Sequence, residues 1–257
     1  PDAVGDLLIV GAGTLGTRVA AAWRALPGAH GDAAPPRVVA ETRSTDRHAR
    51  LTATGAEPRT RADADAAAGA APDNSDGGRF ANVVFSMTPR SADDYGAEAA
   101  RAAALWAGPA GGGRLVFTSS TSALAEKGGG AITEHGTPAD GRVTAAEAVI
   151  RDRGGVVVRL GGLYALRVGG HTRFVGTAEA AMPRRLYINM LHYDDAAAAV
   201  VAALRLPRGA PTDVGGAPFV VTDGVPLTVE ALVAATMAHE RFAGRGGPAL
   251  PTDPGGM

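Results

Sequence analysis

The stretch LLIVGAGTLGTRVAAAW, residues 7–23, joins an apolar run to a tight cluster of glycines. Leu7 to Val10 are continuous and apolar, which predicts a buried strand of a parallel sheet. Gly11, Gly13 and Gly16 follow in GxGxxG spacing, and the residues from Thr14 onward are typical of a helix. The segment therefore predicts a strand, a sharp turn and a helix in immediate succession.

Each glycine of this turn has a separate physical task in a phosphate-binding loop. Gly11 permits the tight turn, Gly13 lets the backbone approach a pyrophosphate, and Gly16 lets the helix pack closely on the strand. The helix start at Thr14 and Leu15 presents free N–H groups and the positive end of the helix dipole. We therefore predict a bound dinucleotide. The alternative is a glycine-rich turn that holds no ligand.

The second predicted strand, over residues 37–44, indicates which dinucleotide is bound. It ends in Glu41, Thr42 and Arg43. An acid at this place binds the adenosine ribose of NAD, whereas an arginine accepts the 2′-phosphate of NADP. Glu41 favours NAD and Arg43 favours NADP. Because a guanidinium fork fits a phosphate, we predict NADP as the cofactor, with NAD as the second choice.

Predicted strands and helices continue to alternate through the first two thirds of the chain. Strands and helices are predicted, in turn, at 82–86, 91–107, 114–120, 144–152 and 155–160. Such alternation is typical of an α/β fold in which helices cover both faces of a parallel sheet. We therefore predict a doubly wound parallel sheet of the Rossmann type.

The chain is predicted to divide into a Rossmann domain and a smaller lobe. We assign residues 1–165 to the dinucleotide-binding domain, with Ser91 as the N-cap of one of its helices. Residues 166–257 are predicted to return to the sheet, with a helix capped by Asp194 or Asp195, and to form a small C-terminal lobe for a substrate or a partner.

Composition excludes several classes of function. A formal net charge of −1 argues against nucleic acid and anionic membrane as partners. The absence of cysteine excludes disulfides and thiolate metal sites. Six histidines are scattered without the spacing of a helical metal pair, so we predict no metal. No apolar run reaches the roughly 18–20 residues of a membrane span.

Several short motifs stand in the order and spacing of one known family. They are GAGTLG, ETRS, FTSSTSALA, ITEHGTP, AAEAVI, VVVRLGGLYALR, NMLHYDDAA and FVVTDGVPLT. Through them the chain resembles the extended and atypical short-chain dehydrogenase/reductases. It is most similar to the epimerase-like atypical members of bacteria and of plant and algal plastids. The resemblance implies a Rossmann domain with a small lobe built from the segments after Leu160.

That family catalyses with a Ser or Thr after the fifth strand and with the Tyr and Lys of a YxxxK motif. The resemblance puts Ser120 at the serine, although its hydroxyl could equally bond local backbone. The Tyr and Lys positions fall near Ala139 and Val143. The chain contains no YxxxK, and Lys127 is its single lysine. The usual proton-transfer pair is therefore absent.

Three further residues are predicted at the same edge of the sheet. Tyr164, just after the sixth strand, is a candidate acid. Its alternative role is packing beside the pocket, since an unassisted phenol has a pKa of about 10. Ser86 and Thr88 follow the fourth strand and are predicted to touch the cofactor. The alternative is that they belong to a plain connecting loop.

The sequence leaves two functions open. Loss of the Tyr–Lys pair beside intact glycines favours a cofactor-binding sensor, or a subunit of a larger assembly with protein partners. The alternative is an NADP-dependent reductase or nucleotide-sugar epimerase-like enzyme that uses Ser120 and an unconventional proton donor. RNA binding, which some plastid relatives show, is opposed by the near-neutral charge and the few aromatic residues.

The location of the protein is also an inference from the sequence. The chain begins at Pro1 rather than at a methionine, which is compatible with removal of a targeting peptide. Together with the plastid resemblance, this predicts the plastid stroma, and a bacterial cytoplasm is the alternative.

Overall fold

Apolar runs separated by turns form the strands of a computed structural model. It describes residues 5–26, 35–70, 79–126, 130–179, 182–207, 209–213, 216–242 and 244–251, and Lys127 lies outside them. The strands are β1 (Leu7–Val10), β2 (Val38–Thr42), β3 (Glu57–Thr60), β4 (Asn82–Phe85), β5 (Leu115–Ser120), β6 (Val156–Leu160), β7 (Gly162–Ala165), β8 (Val168–Gly169), β9 (Tyr187–Ile188), β10 (Met190–His192), β11 (Phe219–Val221) and β12 (Leu227–Thr228).

The helices of the described residues fall between these strands. They are α1 (Thr14–Arg24), α2 (His48–Thr52), α3 (Arg61–Ala70), α4 (Tyr95–Ala104), α5 (Arg142–Asp152), α6 (Tyr193–Leu204) and α7 (Val229–Ala238). Short 3₁₀ turns follow several strands, including the turn at Thr121–Ala123 directly after β5.

Seven of the described strands pair in parallel as one sheet, in the order β3-β2-β1-β4-β5-β6-β11. Leu7 in β1 lies opposite Val38 on one side and Asn82 on the other. The chain therefore reverses its direction of winding between β1 and β4, which is where such sheets bind ligands at their carboxyl edge. The predicted doubly wound Rossmann sheet is confirmed.

Helices cover both faces of the sheet, each over its own apolar core. On one face α1 and α6 pack over a cluster that includes Trp23, Val19 and Val200. On the other face α4 and α5 pack over Phe85 and Phe117. The strands between these layers are buried on both sides, which explains why β1, β4 and β6 are almost wholly apolar.

A small lobe follows the main sheet. Strands β10, β7 and β8 form a three-stranded sheet, β12 and β9 form a two-stranded one, and α7 packs on them. Its core includes Phe174, Met190 and Val229. Strand β7 belongs to this lobe although it precedes residue 166, whereas α6 and β11 return to the main sheet.

The predicted N-cap of the fourth helix was wrong. Helix α4 begins at Tyr95, and its cap is Asp94, whose carboxylate accepts a hydrogen bond from Ala97 N–H at 2.8 Å. Ser91 instead ends a 3₁₀ turn and donates its hydroxyl to the Thr88 carbonyl. Pro89 starts that turn, and the extended backbone at Ala92 separates it from the helix.

The predicted cap of α6 was also wrong. The cap is His192, whose Nδ1 accepts a hydrogen bond from Asp194 N–H at 3.3 Å. Asp194 and Asp195 lie in the first turn instead, where their charges favour the positive end of the helix dipole. In the described part of the chain, no helix is long and apolar enough to cross a membrane. No grouping of three or more His, Asp or Glu side chains suited to a metal ion occurs there either.

Candidate functional site

The glycine turn after β1 is held by backbone hydrogen bonds that it donates to β2. Gly11 N–H and Ala12 N–H donate to the Glu41 carbonyl oxygen at 3.0 and 2.9 Å. Gly11 has a φ of +85°, and a Cβ there would lie 2.7 Å from the Met87 nitrogen. Only glycine therefore fits at this corner, because both the conformation and the space exclude a side chain.

The N-terminus of α1 opens toward solvent without a capping side chain. Gly13 is the N-cap residue, no side chain accepts from the first turn, and no acid lies in it. A Cβ on Gly13 would have only the Gly11 carbonyl oxygen near it, at 4.0 Å. A Cβ on Gly16 would lie 3.0 Å from Ile9 Cγ2, so α1 packs closely on β1. The uncapped N–H groups and dipole favour an anion in front of Gly13.

Two adjoining cavities lie along this carboxyl edge of the sheet. The larger has a volume of about 670 Å³ and the smaller about 450 Å³. Thr14 and Leu15 line the smaller one only. The residues that line both are Gly13, Arg47, Ser86, Met87 and Thr88. The structure thus brings together the glycine turn and the two residues predicted after the fourth strand.

The acid at the end of β2 is engaged by two arginines. Glu41 is 2% exposed, and its carboxylate pairs with Arg101 of α4 and, at 3.3 Å, with Arg59 of β3. Arg101 also bonds Glu98 at 3.2 Å, and Glu98 in turn pairs with Arg61 at 2.6 Å. Of these charged residues, all but Arg59 line the larger cavity. The Glu41 carboxylate therefore already has cationic partners.

Two other arginines of the larger cavity lack such partners. Arg43 and Arg47 are exposed and line the cavity. Within the part of the chain that the structure describes, neither pairs with a carboxylate. Thr42 also lines it, and its hydroxyl donates to the Ser44 carbonyl at 2.8 Å. Guanidinium groups without carboxylate partners, at the edge of an open cavity, are suited to an anionic group of a ligand.

Hydroxyl groups dominate the polar lining of the smaller cavity. Ser120, at the end of β5, lines it, and its Oγ accepts hydrogen bonds from Ser122 N–H at 3.2 Å and from Ser122 Oγ at 3.0 Å. Thr118 donates to Ser86 Oγ at 3.2 Å. Ser120 is thus both a cavity residue and a cap for the 3₁₀ turn that follows β5.

Comparisons with known proteins bear on this arrangement. No family model matches the chain, and no curated protein matches it in sequence. Solved structures do match along nearly its whole length. A functionally unknown conserved protein from Silicibacter pomeroyi superposes with a TM-score of 0.65 at 20% identity, over 98% of this chain and 84% of that one.

Named enzymes are among the similar structures. The Bordetella bronchiseptica enzyme WbmG, in complex with NAD and UDP, has a TM-score of 0.65 at 19% identity, over 96% of this chain and 81% of its own. The UDP-glucuronic acid 4-epimerase of Bacillus cereus, in complex with NAD, has a TM-score of 0.66 at 13% identity, over 96% and 88%. The chain shares its Rossmann fold with these structures. The resemblance drawn from the motifs is confirmed at the level of the fold.

The start of α5 lies beside the smaller cavity. Here Val143, near the position assigned to the family lysine, lines the smaller cavity. Tyr164 does not line it, because its ring packs against His192 and His171, with centroids 5.3 and 6.1 Å apart. The preceding residue in the chain, Leu163, lines the cavity instead. The structure therefore does not bring Tyr164 and Ser120 together.

Two phenols that the sequence analysis did not single out do line the smaller cavity. Tyr95 donates its hydroxyl to the Met87 carbonyl at 2.8 Å, and burial raises its pKa. Tyr193 opens α6, and Arg18 lies over its ring at 5.1 Å. Burial raises the pKa of Tyr193 as well, and the positive charges of Arg18 and Arg47 oppose that rise. Both phenols are therefore protonated at neutral pH.

A buried ion pair supports the wall of the smaller cavity that carries Ser120. Glu147 of α5 and Arg159 of β6 are each 3% exposed and form a two-pronged pair at 2.9 and 2.6 Å. Ser119, which lines the cavity, donates its hydroxyl to Glu147 at 2.5 Å. The network joins α5, β5 and β6 directly below the end of β5.

Proposed function

We propose that the protein binds NADP(H) along the carboxyl edge of its sheet. The observation that carries the proposal is the uncapped start of α1 at Gly13, which opens into both cavities. There the free N–H groups and the helix dipole would hold the pyrophosphate. The dinucleotide complexes of similar structures, WbmG and the Bacillus cereus epimerase with NAD, support a nicotinamide dinucleotide as the ligand.

NADP rather than NAD is favoured by the charges around the larger cavity. Glu41, the acid that would accept the ribose hydroxyls of NAD, is occupied by Arg101 and Arg59. Arg43 and Arg47 have no carboxylate partners in the described structure and would bond the 2′-phosphate of NADP.

Charge reversal at Arg43 tests this choice of cofactor. Arg43→Glu should weaken NADPH binding roughly 10–100-fold, the equivalent of one charge-assisted bond, and change NADH binding little. The matched control is Arg50→Glu, an exposed arginine of α2 that lines neither cavity. An equal loss of NADPH and NADH affinity in Arg43→Glu would contradict the assignment.

We further propose that the bound cofactor serves a sensor or an assembly subunit rather than the usual reaction of the family. Among the described residues that line the smaller cavity there is no lysine, histidine or carboxylate. Its titratable groups are Arg47 and the two phenols, whose pKa values are raised by burial. A group that exchanges protons easily near neutral pH is therefore not available beside Ser120.

The native mass of the protein in an extract of its own cells tests the subunit role. A mass several-fold above that of a dimer is expected, with protein partners that co-purify. A mass at monomer or dimer would favour the enzyme described next. Fractionation of the same cells tests the expected location, the plastid stroma, against a bacterial cytoplasm.

The second candidate is an NADPH-dependent reductase, and Tyr193 is the observation that favours it. No hydrogen bond engages its hydroxyl in the described structure, so the hydroxyl is available to a substrate in the smaller cavity. NADPH would supply a hydride to a carbonyl carbon. Tyr193 would give its proton to the carbonyl oxygen, which Ser120 would hold, and an alcohol would result.

Two substitutions test the reductase. Tyr193→Phe and Ser120→Ala should each abolish carbonyl reduction and leave NADPH binding unchanged. Tyr164→Phe is the matched control for the phenol, since Tyr164 lies outside the cavity. Loss of activity in the Tyr164 variant alone would instead support Tyr164 as the catalytic acid.

A further inference from the structure

A third cavity, of about 370 Å³, lies in the C-terminal lobe. It shares no lining residue with the two cavities at the carboxyl edge of the main sheet. Its side chains are mostly apolar and come from β9, β10, α7 and the segments that precede them. The large apolar residues of the lining are Phe174, Met182, Ile188, Met190 and Leu232. The cavity therefore offers an apolar interior whose lining is separate from that of the two cavities beside Gly13 and Ser120.

Two opposite charges also line this cavity. Arg173 and Glu179 are both exposed, and no ion pair joins them to one another or to another charged group in the parts of the chain described. Most other charged groups of the cavities described above are paired. A guanidinium and a carboxylate, each without a partner at one small cavity, present complementary charges to a ligand that carries both signs.

We propose that this lobe cavity binds a free apolar α-amino acid. The amino acid's carboxylate would bond Arg173, its ammonium group would bond Glu179, and its side chain would enter the apolar interior. The volume lies at the small end of the range of about 300–1,000 Å³ that is usual for small-molecule sites. A nucleoside diphosphate suits the cavity less well, because its charge would be repelled by Glu179.

Two lining features fit a ligand of this size. Met182 and Met190 have flexible, polarisable side chains that can adjust to side chains of different shape. Gly162 and Gly170 contribute no side chain, and a Cβ on Gly170 would meet nothing within 4 Å. A side chain at Gly170 would therefore stand at the cavity wall without displacing its neighbours, and this provides a test.

Calorimetric titration of the full chain with L-leucine, L-methionine and L-phenylalanine tests the proposal. At least one of these should bind. For L-leucine, 4-methylpentanoate lacks the ammonium group and 3-methylbutylamine lacks the carboxylate. Each analogue should bind at least about tenfold more weakly than the amino acid, since each loses one charge-assisted bond. The titrations need no dinucleotide, so their result is independent of the proposed NADP(H) site.

Single substitutions then locate the site. Arg173→Gln should weaken binding of L-leucine but leave the affinity for 3-methylbutylamine unchanged. Glu179→Gln should weaken binding of L-leucine but leave the affinity for 4-methylpentanoate unchanged. Gly170→Leu should abolish binding with the melting temperature retained. The matched control is Arg167→Gln, an exposed arginine of the same lobe that does not line the cavity. Absence of binding by all three amino acids overturns the proposal, as does equal binding of 4-methylpentanoate.

Discussion

Replacing Gly13 with valine should abolish dinucleotide binding and leave the fold intact. Gly13 has a negative φ, of −78°, and a Cβ there approaches only the Gly11 carbonyl oxygen, at 4.0 Å. The new side chain would therefore stand in the cavity in front of α1, where the pyrophosphate would lie. Gly11→Ala should instead destabilise the fold, because Gly11 has a positive φ and a Cβ there would lie 2.6 Å from Met87 Cγ.

The expected magnitudes separate binding from stability. If the valine displaces the pyrophosphate from two N–H groups, at about 1.5–3 kcal/mol for each charge-assisted bond, about 3–6 kcal/mol is lost. That corresponds to a roughly 10²–10⁴-fold weaker affinity. The free energy of unfolding should change by no more than about 1 kcal/mol in Gly13→Val. In Gly11→Ala, strain of about 1–3 kcal/mol adds to the clash with backbone.

Fluorescence titration with NADPH and urea unfolding followed by circular dichroism measure the two quantities. Gly246→Val is the matched control, because a Cβ on Gly246 meets nothing within 4 Å and the residue lines none of the three cavities. Unchanged NADPH affinity in a folded Gly13→Val protein would refute the assignment of this turn to the pyrophosphate.

Two further predictions concern stability. Glu147→Gln leaves the buried Arg159 without its carboxylate and should lower the free energy of unfolding by about 3–5 kcal/mol in urea, whereas Glu57→Gln, in an exposed pair, should cost no more than about 1 kcal/mol. Equal effects would show that the buried network is not structural. Burial lowers the pKa of His171 in the folded protein below its ordinary value of about 6.5. As the pH falls through that value, the unfolded chain therefore binds a proton at His171 more readily than the folded protein does. Between pH 7 and pH 5, the free energy of unfolding should therefore fall by less in His171→Gln than in the unsubstituted protein. An equal shift of the urea midpoint with pH in the two proteins would contradict this.

The main sheet was predictable because its signals are local and repeated. Leu7–Val10 forms the predicted strand residue for residue, since four consecutive apolar side chains are buried on both faces of the sheet. Helix caps were less predictable. Ser91 and Asp194 are typical cap residues, but Pro89 starts a 3₁₀ turn before α4, and the His192 ring accepts the hydrogen bond from Asp194 N–H at the start of α6.

The charges and phenols of the candidate site depend on contacts between distant segments. Arg101 neutralises Glu41 from a helix 60 residues later in the chain, so the sequence near β2 could not show that the acid is already paired. Tyr193 reaches the cavity of Ser120 only because α6 returns to pack beside α1. The motif NMLHYDDAA contains Tyr193, but a motif alone does not show which side chain faces a cavity.

Calorimetric titration of the unsubstituted protein with NADPH and with NADH tests the central claim most directly. We expect NADPH to bind, and to bind at least about tenfold more tightly than NADH, because Arg43 and Arg47 would hold the 2′-phosphate while Glu41 is occupied by arginines. Failure of both dinucleotides to bind at millimolar concentration, or tighter binding of NADH, would contradict the account.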